Sequence, residues 1–248
     1  MKIPILIKTI SVGLAAVFCF GCSSLNPLQK QNSQTSENKV ATANKTSETS
    51  SKTSLCVNKF YPVKNGLKRN YDNKIGGKTK MTMEYKDGDA SFTEVTTLKD
   101  VTVKHVWNCT SEGLVAANYG SSAEMSNMQL EPKHISGVTL PAENEIKIGK
   151  SWTAVYQATG SSQLGAIDTK VELNNKIVSL DDEVKTSAGT FKAVKIEIEI
   201  VSDMILGGKK MPVPKIQSAV WFAPEVGMVK STGGMGGFSN TMEYTGSN

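Results

Sequence analysis

Histidine and cysteine are scarce in this chain of 248 residues: two of the first and four of the second. Beyond residue 22 only Cys56 and Cys109 remain, without a CxxC spacing, so neither a zinc ribbon nor a dithiol redox motif is written here. His105 and His134 are the sole imidazoles. Nucleophilic catalysis needs a base beside an activated Ser or Cys, and no GxSxG or HExxH occurs. His105 shares the alternation of Val101, Val103 and Trp107 and reads as a core or rim residue, whereas His134, in EPKHISG, reads as a surface loop. No metal and no cofactor is expected. Also missing is any stretch that keeps an amphipathic helical period for three turns. The glycine-rich STGGMGGFSN (231–240) has neither the following helix nor the lysine that a phosphate-cradling loop requires; it reads as a flexible hairpin or tail.

What is present begins with MKIPILIKTISVGLAAVFCFGCSS. Lys2 and Lys8 precede a hydrophobic segment too short for a permanent span, with small residues at the cut, which is the pattern of a secretory signal. The Gly21-Cys22-Ser23-Ser24 end resembles a bacterial lipoprotein signal. That resemblance implies cleavage before Cys22, leaving 1–21 as signal peptide, and acylation, palmitate included, of Cys22. Several acyl chains hold a protein to a membrane where one is marginal, and Ser rather than Asp after the cysteine resembles the sorting pattern for the outer membrane. From Ser23 to Ser54 thirteen residues are Ser or Thr and only five are Val, Leu or Ala. Too little apolar surface is available there to offset ordering entropy, so 22–54 is expected to be a disordered tether. At roughly 5–6 Å times the square root of its length, it would hold a domain some tens of ångströms off the bilayer.

Residues 55–248 carry 22 basic and 21 acidic side chains. The formal charge of +5 therefore resides mostly in the signal and tether, and no electrostatic footprint for nucleic acid remains. An oxidising compartment permits Cys56 and Cys109 to bridge. Such a staple would remove about 4 kcal/mol of closure entropy from the unfolded state. Adjacent Asp181, Asp182 and Glu183 could be imagined as paired catalytic carboxylates, but between two strands they read more simply as a solvated turn. The methionines of the folded part are scattered, which suits thioethers filling irregular gaps better than a copper site.

Period-two alternation dominates. In VKIEIEIV (194–201), Val194, Ile196, Ile198 and Ile200 alternate with Lys195, Glu197 and Glu199, giving one dry face and one wet face. Further strand-like runs are separated by Asp-Gly, Asn-Asn, Gly-Gly and Pro-containing punctuation. The class expected is all-β and mainly antiparallel, with few short helices. One device occurs twice: HVWNCTSEGLV (105–115) and AVWFAPEVGMV (219–229) each place a tryptophan, Trp107 or Trp221, six residues ahead of a glycine, Gly113 or Gly227. Each copy reads as a strand ending at or just past its Trp, a gap of five residues, and a new strand starting at glycine, which tolerates positive φ. Two meander-like rounds are expected, 55–130 and 131–248. Because one meander cannot hide its own apolar face, they should continue one strongly curved sheet or half-barrel, or pack as two small sheets.

Thr139-Leu140-Pro141 with IKIGKSW (146–152), VKTSAGTFKAVK (184–195), VWFAPEVGMVK (220–230) and the opening YPVKNG (61–66) resemble the exported bacterial proteins of the DUF3108-like, or TapB-like, group. The resemblance covers about 60–232 and implies a curved antiparallel sheet related to lipoprotein carriers, and no particular activity. The expectation is an envelope-anchored, non-catalytic binding module that takes an apolar small molecule or a segment of an envelope protein, or else a structural or assembly component of the envelope, with an enzyme the least favoured alternative. Its membrane partner would be reached through the lipid on Cys22.

Overall fold

The structure, a computed structural model, describes residues 55–74, 77–85, 90–98, 101–118, 129–235 and 238–247; Cys22, the signal and the tether lie outside them. Five strands open the described chain: β1 (Lys68–Asn73), β2 (Gly77–Tyr85), β3 (Ser91–Leu98), β4 (Val101–Thr110) and β5 (Gly113–Ala116). Two edge strands follow, β6 (Gln129–Ser136) and β7 (Leu140–Pro141), then a single 3-10 turn at Glu143–Glu145. The longest strands are β8 (Ser151–Ser162), β9 (Gly165–Thr186) and β10 (Gly189–Leu206); β11 (Lys209–Met211), β12 (Ile216–Ala223), β13 (Gly227–Met235) and β14 (Phe238–Ser247) complete the set.

All of them belong to one antiparallel sheet in the order β6-β8-β9-β10-β12-β13-β14-β1-β2-β3-β4-β5-β7, with β11 paired to β10. The join between the two sequence halves is β14 against β1, where Tyr71 faces Tyr244 and Asn73 faces Met242. The first and last strands of the described chain are thus neighbours, and the expected curved antiparallel sheet is what forms.

The two ends of that path are consecutive in the chain. β6 pairs with β8 and β7 pairs with β5, and only residues 137–139 separate β6 from β7. Those residues stitch the two edges together. The amide of Thr139 donates to Leu114 O at 2.8 Å, its hydroxyl lies 3.0 Å from Tyr156 Oη, and Trp152 Nε1 donates to Val138 O at 3.0 Å. Gly137 turns the chain at φ 79°, with Thr153 O where a Cβ would have to stand. Sequence reading placed His134 in a loop. It is instead on β6 opposite Tyr156, because the Gly137 turn ends a strand rather than a loop.

Alternation carries the core. Tyr71, Phe92, Tyr156, Leu173, Ile177, Val194, Ile196, Val220, Val229 and Met242 all point to the concave side. Where β9 passes β10, the register slips twice, between Ala193 and Lys195 and between Lys195 and Ile196. These bulges bend the long hairpin and change its parity, which is why the neighbours Ala193 and Val194 are both buried. The acidic run reads differently in three dimensions. Asp181, Asp182 and Glu183 lie within β9 beside the bulges, not in a turn, and Asp182 accepts a hydrogen bond from Trp221 Nε1 at 2.6 Å.

Candidate functional site: a strap across the concave wall

Residues 55–67 have no ladder of their own and cross the concave side of the sheet. Phe60 and Tyr61 follow one another in sequence yet both are buried, since the irregular backbone frees them from strand alternation. The Tyr61 ring sits 5.1 Å from Trp107 and 6.0 Å from Phe222, measured between centroids, while Phe92 stacks on Trp107 at 5.7 Å. Strands β3, β4 and β12 thereby meet on one tyrosine. The strap is fastened along its length. Cys56 is disulfide-bonded to Cys109 of β4, Asn58 Nδ2 donates to Pro141 O at 3.2 Å, and the amide of Glu225 donates to Lys59 O at 2.7 Å.

Charge is buried at the same place. The Tyr61 hydroxyl donates to the Glu94 carboxylate, and Arg69, 3% exposed, lies over the Tyr61 ring with its guanidinium carbon 5.5 Å from the centroid. Arg69 also donates to Val226 O and Pro62 O, each at 2.8 Å. Loss of water around Glu94 pushes its carboxyl above the usual range, against the opposing pull of the Tyr61 hydrogen bond and of Arg69. Tyr61 is held well above the ordinary phenol value, first by burial and then by the neighbouring Glu94 charge. Across β3 and β4, Glu94 is the partner of His105. His105 is half-buried on the concave side, as its alternation implied, and burial lowers its pKa. Sequence reading missed Tyr61, Arg69 and Glu94 as a group. Their separation along the chain hides the contact, although a lone Arg in a strand-like run was a signal open to notice.

The repeated turns occupy matching places in the sheet but are not equivalent. Gly113 (φ 139°) and Gly227 (φ 95°) both open a strand with positive φ, and both leave room that a side chain would fill. At Gly113 the space is taken by the backbone at Leu140; at Gly227 it is taken by the Arg69 guanidinium. The strands run on past their tryptophans, so the gaps are shorter than five residues. β4 turns over two residues, with Thr110 opposite Gly113, and β12 over three, with Ala223 opposite Gly227. One residue of difference in the turn reverses the face. Trp107 consequently points inward to Phe92, while Trp221 points outward, with Lys195 and Lys230 5.5 and 5.8 Å from its ring centroid.

Toward the opposite end of the same strands the concave wall changes character. Asn73, Thr79, Thr96, Ser218, Ser231 and Asn240 are all buried there. Among the described residues no group of three or more His, Cys, Asp or Glu is placed to hold a metal ion, and no helix is long and apolar enough to cross a membrane.

A curved, single-layer antiparallel sheet lined by its own N-terminal strap is the class defined by this geometry. The region 114–233 matches the DUF3108-like family, in agreement with the motifs at 139–152, 184–195 and 220–230. Three solved structures resemble the chain. One, described as a lipoprotein of Parabacteroides distasonis ATCC 8503, is 12% identical with a TM-score of 0.51, over 76% of this chain and 98% of its own. A second, described as an exported protein with a YmcC-like fold from Bacteroides fragilis NCTC 9343, is 12% identical with a TM-score of 0.48 over the same shares. The third, the hypothetical lipoprotein YmcC of Escherichia coli K12, is 11% identical with a TM-score of 0.40, over 73% of this chain and 83% of its own. At such identities the likeness concerns fold alone. No curated protein is significantly similar to the chain.

Proposed function

We propose that this protein is a lipid-anchored, non-catalytic binding module of the bacterial envelope that engages a segment of a partner protein rather than carrying an apolar molecule within its sheet. The observation that supports this reading is the strap. Phe60 and Tyr61 occupy the concave wall between Phe92, Trp107 and Phe222, the place where a lipid-carrying sheet would keep its cargo. Recognition then falls to the outer surface and the strand edges. The signal-like start, Cys22 and the polar tether support delivery to the periplasmic side of a membrane, with Ser23 favouring the outer one.

The competing reading, a structural component of the envelope, shares the filled core and differs in having no dissociable partner. Two measurements separate the cases. Native mass spectrometry of the Cys22→Ser chain is expected to show no retained lipid; a stoichiometric lipid would overturn the proposal in favour of carriage. In intact envelopes, crosslinking of the acylated chain is expected to recover one defined protein that the Cys22→Ser chain fails to capture. A spread of products set only by abundance would point to the structural reading.

A further inference from the structure

Toward its turn at Ser187 and Ala188 the β9–β10 hairpin outlasts its neighbours. The ladder of β8 ends on β9 at Lys176, and Gly149 and Lys150 add one last rung at Ile177. The ladder of β12 ends on β10 at Val194. From there to the turn the hairpin is two strands wide, with Asp182 opposite Ala193 and Thr186 opposite Gly189 in unbroken register. Among the described residues no backbone pairs with the outer edge of β9 from Val178 to Thr186. Thr186 closes the turn against Gly189, so alternation points the main-chain groups of Lys185 and Glu183 to that open side.

Other edges of the sheet are closed by the chain itself. β6 carries Pro132, β7 carries Pro141, and β11 runs into Pro212 and Pro214; proline cannot donate to a ladder. On β4 the Asn118 side chain stands in for a strand: the Val106 amide donates to its Oδ1 at 2.7 Å, and its Nδ2 donates to Lys104 O at 2.9 Å.

What fits the open edge of β9 is set by Glu183-Val184-Lys185, which is complementary to itself. Two such edges laid antiparallel about Val184 bring each Glu183 opposite the Lys185 of the other copy and Asp182 opposite Thr186, with no like charges directly opposed. The registers two residues to either side set Glu183 on Glu183 or Lys185 on Lys185, so charge selects one alignment. Within one copy Glu183 touches Lys185 at 3.3 Å and Lys192 at 4.0 Å. Those pairs are exposed and contribute little, so little is lost when Glu183 turns to a second copy.

We propose that this edge is a self-association surface: two copies of the chain join β9 to β9, antiparallel about Val184, making one sheet continuous across a two-fold axis. The contact is independent of any partner engaged elsewhere on the molecule. So short an edge buries less area than a tight dimer requires, and the association is weak in free solution. Two copies tethered to one membrane, as proposed above, meet at a higher effective concentration.

The test uses the mature chain, from residue 22, with Cys22→Ser; Cys56 and Cys109 are bonded to each other, so no other thiol is free. A Glu183→Cys chain mixed with a Lys185→Cys chain and mildly oxidised is expected to give the mixed disulfide dimer in large excess over either like-with-like product, because like positions stand too far apart to bridge. In sedimentation equilibrium Glu183→Lys should weaken the dimer by about tenfold or more, and Glu183→Lys together with Lys185→Glu should restore it. Both side chains are exposed, so the melting temperature should stay where it is in either variant. A chain that remains monomeric up to about 1 mM overturns the proposal. Equal yields of the three disulfide products also overturn it, as does a dimer that Glu183→Lys leaves intact or that the charge exchange fails to restore, since the contact then lies at another face or in another register.

Discussion

The hydroxyl of Tyr61 and the carboxylate of Glu94 meet by hydrogen bond inside the core, 33 residues apart in sequence and both almost wholly removed from water. Arg69 beside them brings a guanidinium to the same buried place. Removing one member of such a group leaves the others unsatisfied in a medium that does not replace water. Tyr61→Phe is therefore expected to cost about 1–3 kcal/mol in urea denaturation. Glu94→Gln, which keeps an acceptor for the hydroxyl, should cost less than Glu94→Ala. Equal losses for the two Glu94 variants would show that the carboxyl oxygen is not what Tyr61 needs.

The pH dependence of stability has a sign that follows from the same site. Burial raises Glu94 above its ordinary value of 4.5 in the folded protein. The associated stability is fully present below that ordinary value and is lost as pH rises through the higher folded value. His105 contributes a slope of the opposite sign. Burial lowers it from 6.5, so its contribution is present above 6.5 and is lost as pH falls through its folded value. Melting curves across pH should show the first slope flattened in Glu94→Gln and the second flattened in His105→Asn. A wild-type slope retained in Glu94→Gln would assign the loss of stability with rising pH to other groups.

Cys56 and Cys109 are 53 positions apart and bonded. Replacing both with Ser should lower stability by about 2–4 kcal/mol. The loss should be local before it is global, because the bond fastens the strap and not the sheet. Amide exchange at Phe60 and Tyr61 is expected to quicken in the double variant, while Ile196 and Ile198 in β10 remain protected. Uniform acceleration throughout the sheet would contradict this.

Gly137 and Gly149 form a matched pair. Their φ values are 79° and 80°, but a Cβ on Gly137 would stand 2.0 Å from Thr153 O, and one on Gly149 would meet nothing within 4 Å. Gly149→Ala should cost about 1 kcal/mol, the conformational penalty alone. Gly137→Ala should cost about 3 kcal/mol or more, because the segment that stitches β6 and β7 to opposite ends of the sheet must move. Similar costs at the two positions would mean that the stitch is not rigid.

The strand character of this chain was open in its letters. Alternation of Val194, Ile196, Ile198 and Ile200 with charged neighbours is a local property, and it marks β10 whatever the rest of the chain does. The same holds for Gly113 and Gly227, since positive φ is a demand that one residue type meets cheaply. Motif spacing likewise pointed to the DUF3108-like region before any contact was known. Three other features depended on distance and count in space. Trp107 and Trp221 share a spacing of six to their glycines yet face opposite ways, because turns of two and three residues reverse parity and only the paired strands reveal the turn length. Asp182 looked like solvent-facing charge until Trp221 arrived from β12. The strap carries no period at all, so its path over the concave wall, with Tyr61 against Glu94 and Arg69 beneath it, was decided by tertiary packing. Local periodicity can name a strand and its wet side, whereas the partner of each buried polar group is chosen by closure of the whole sheet.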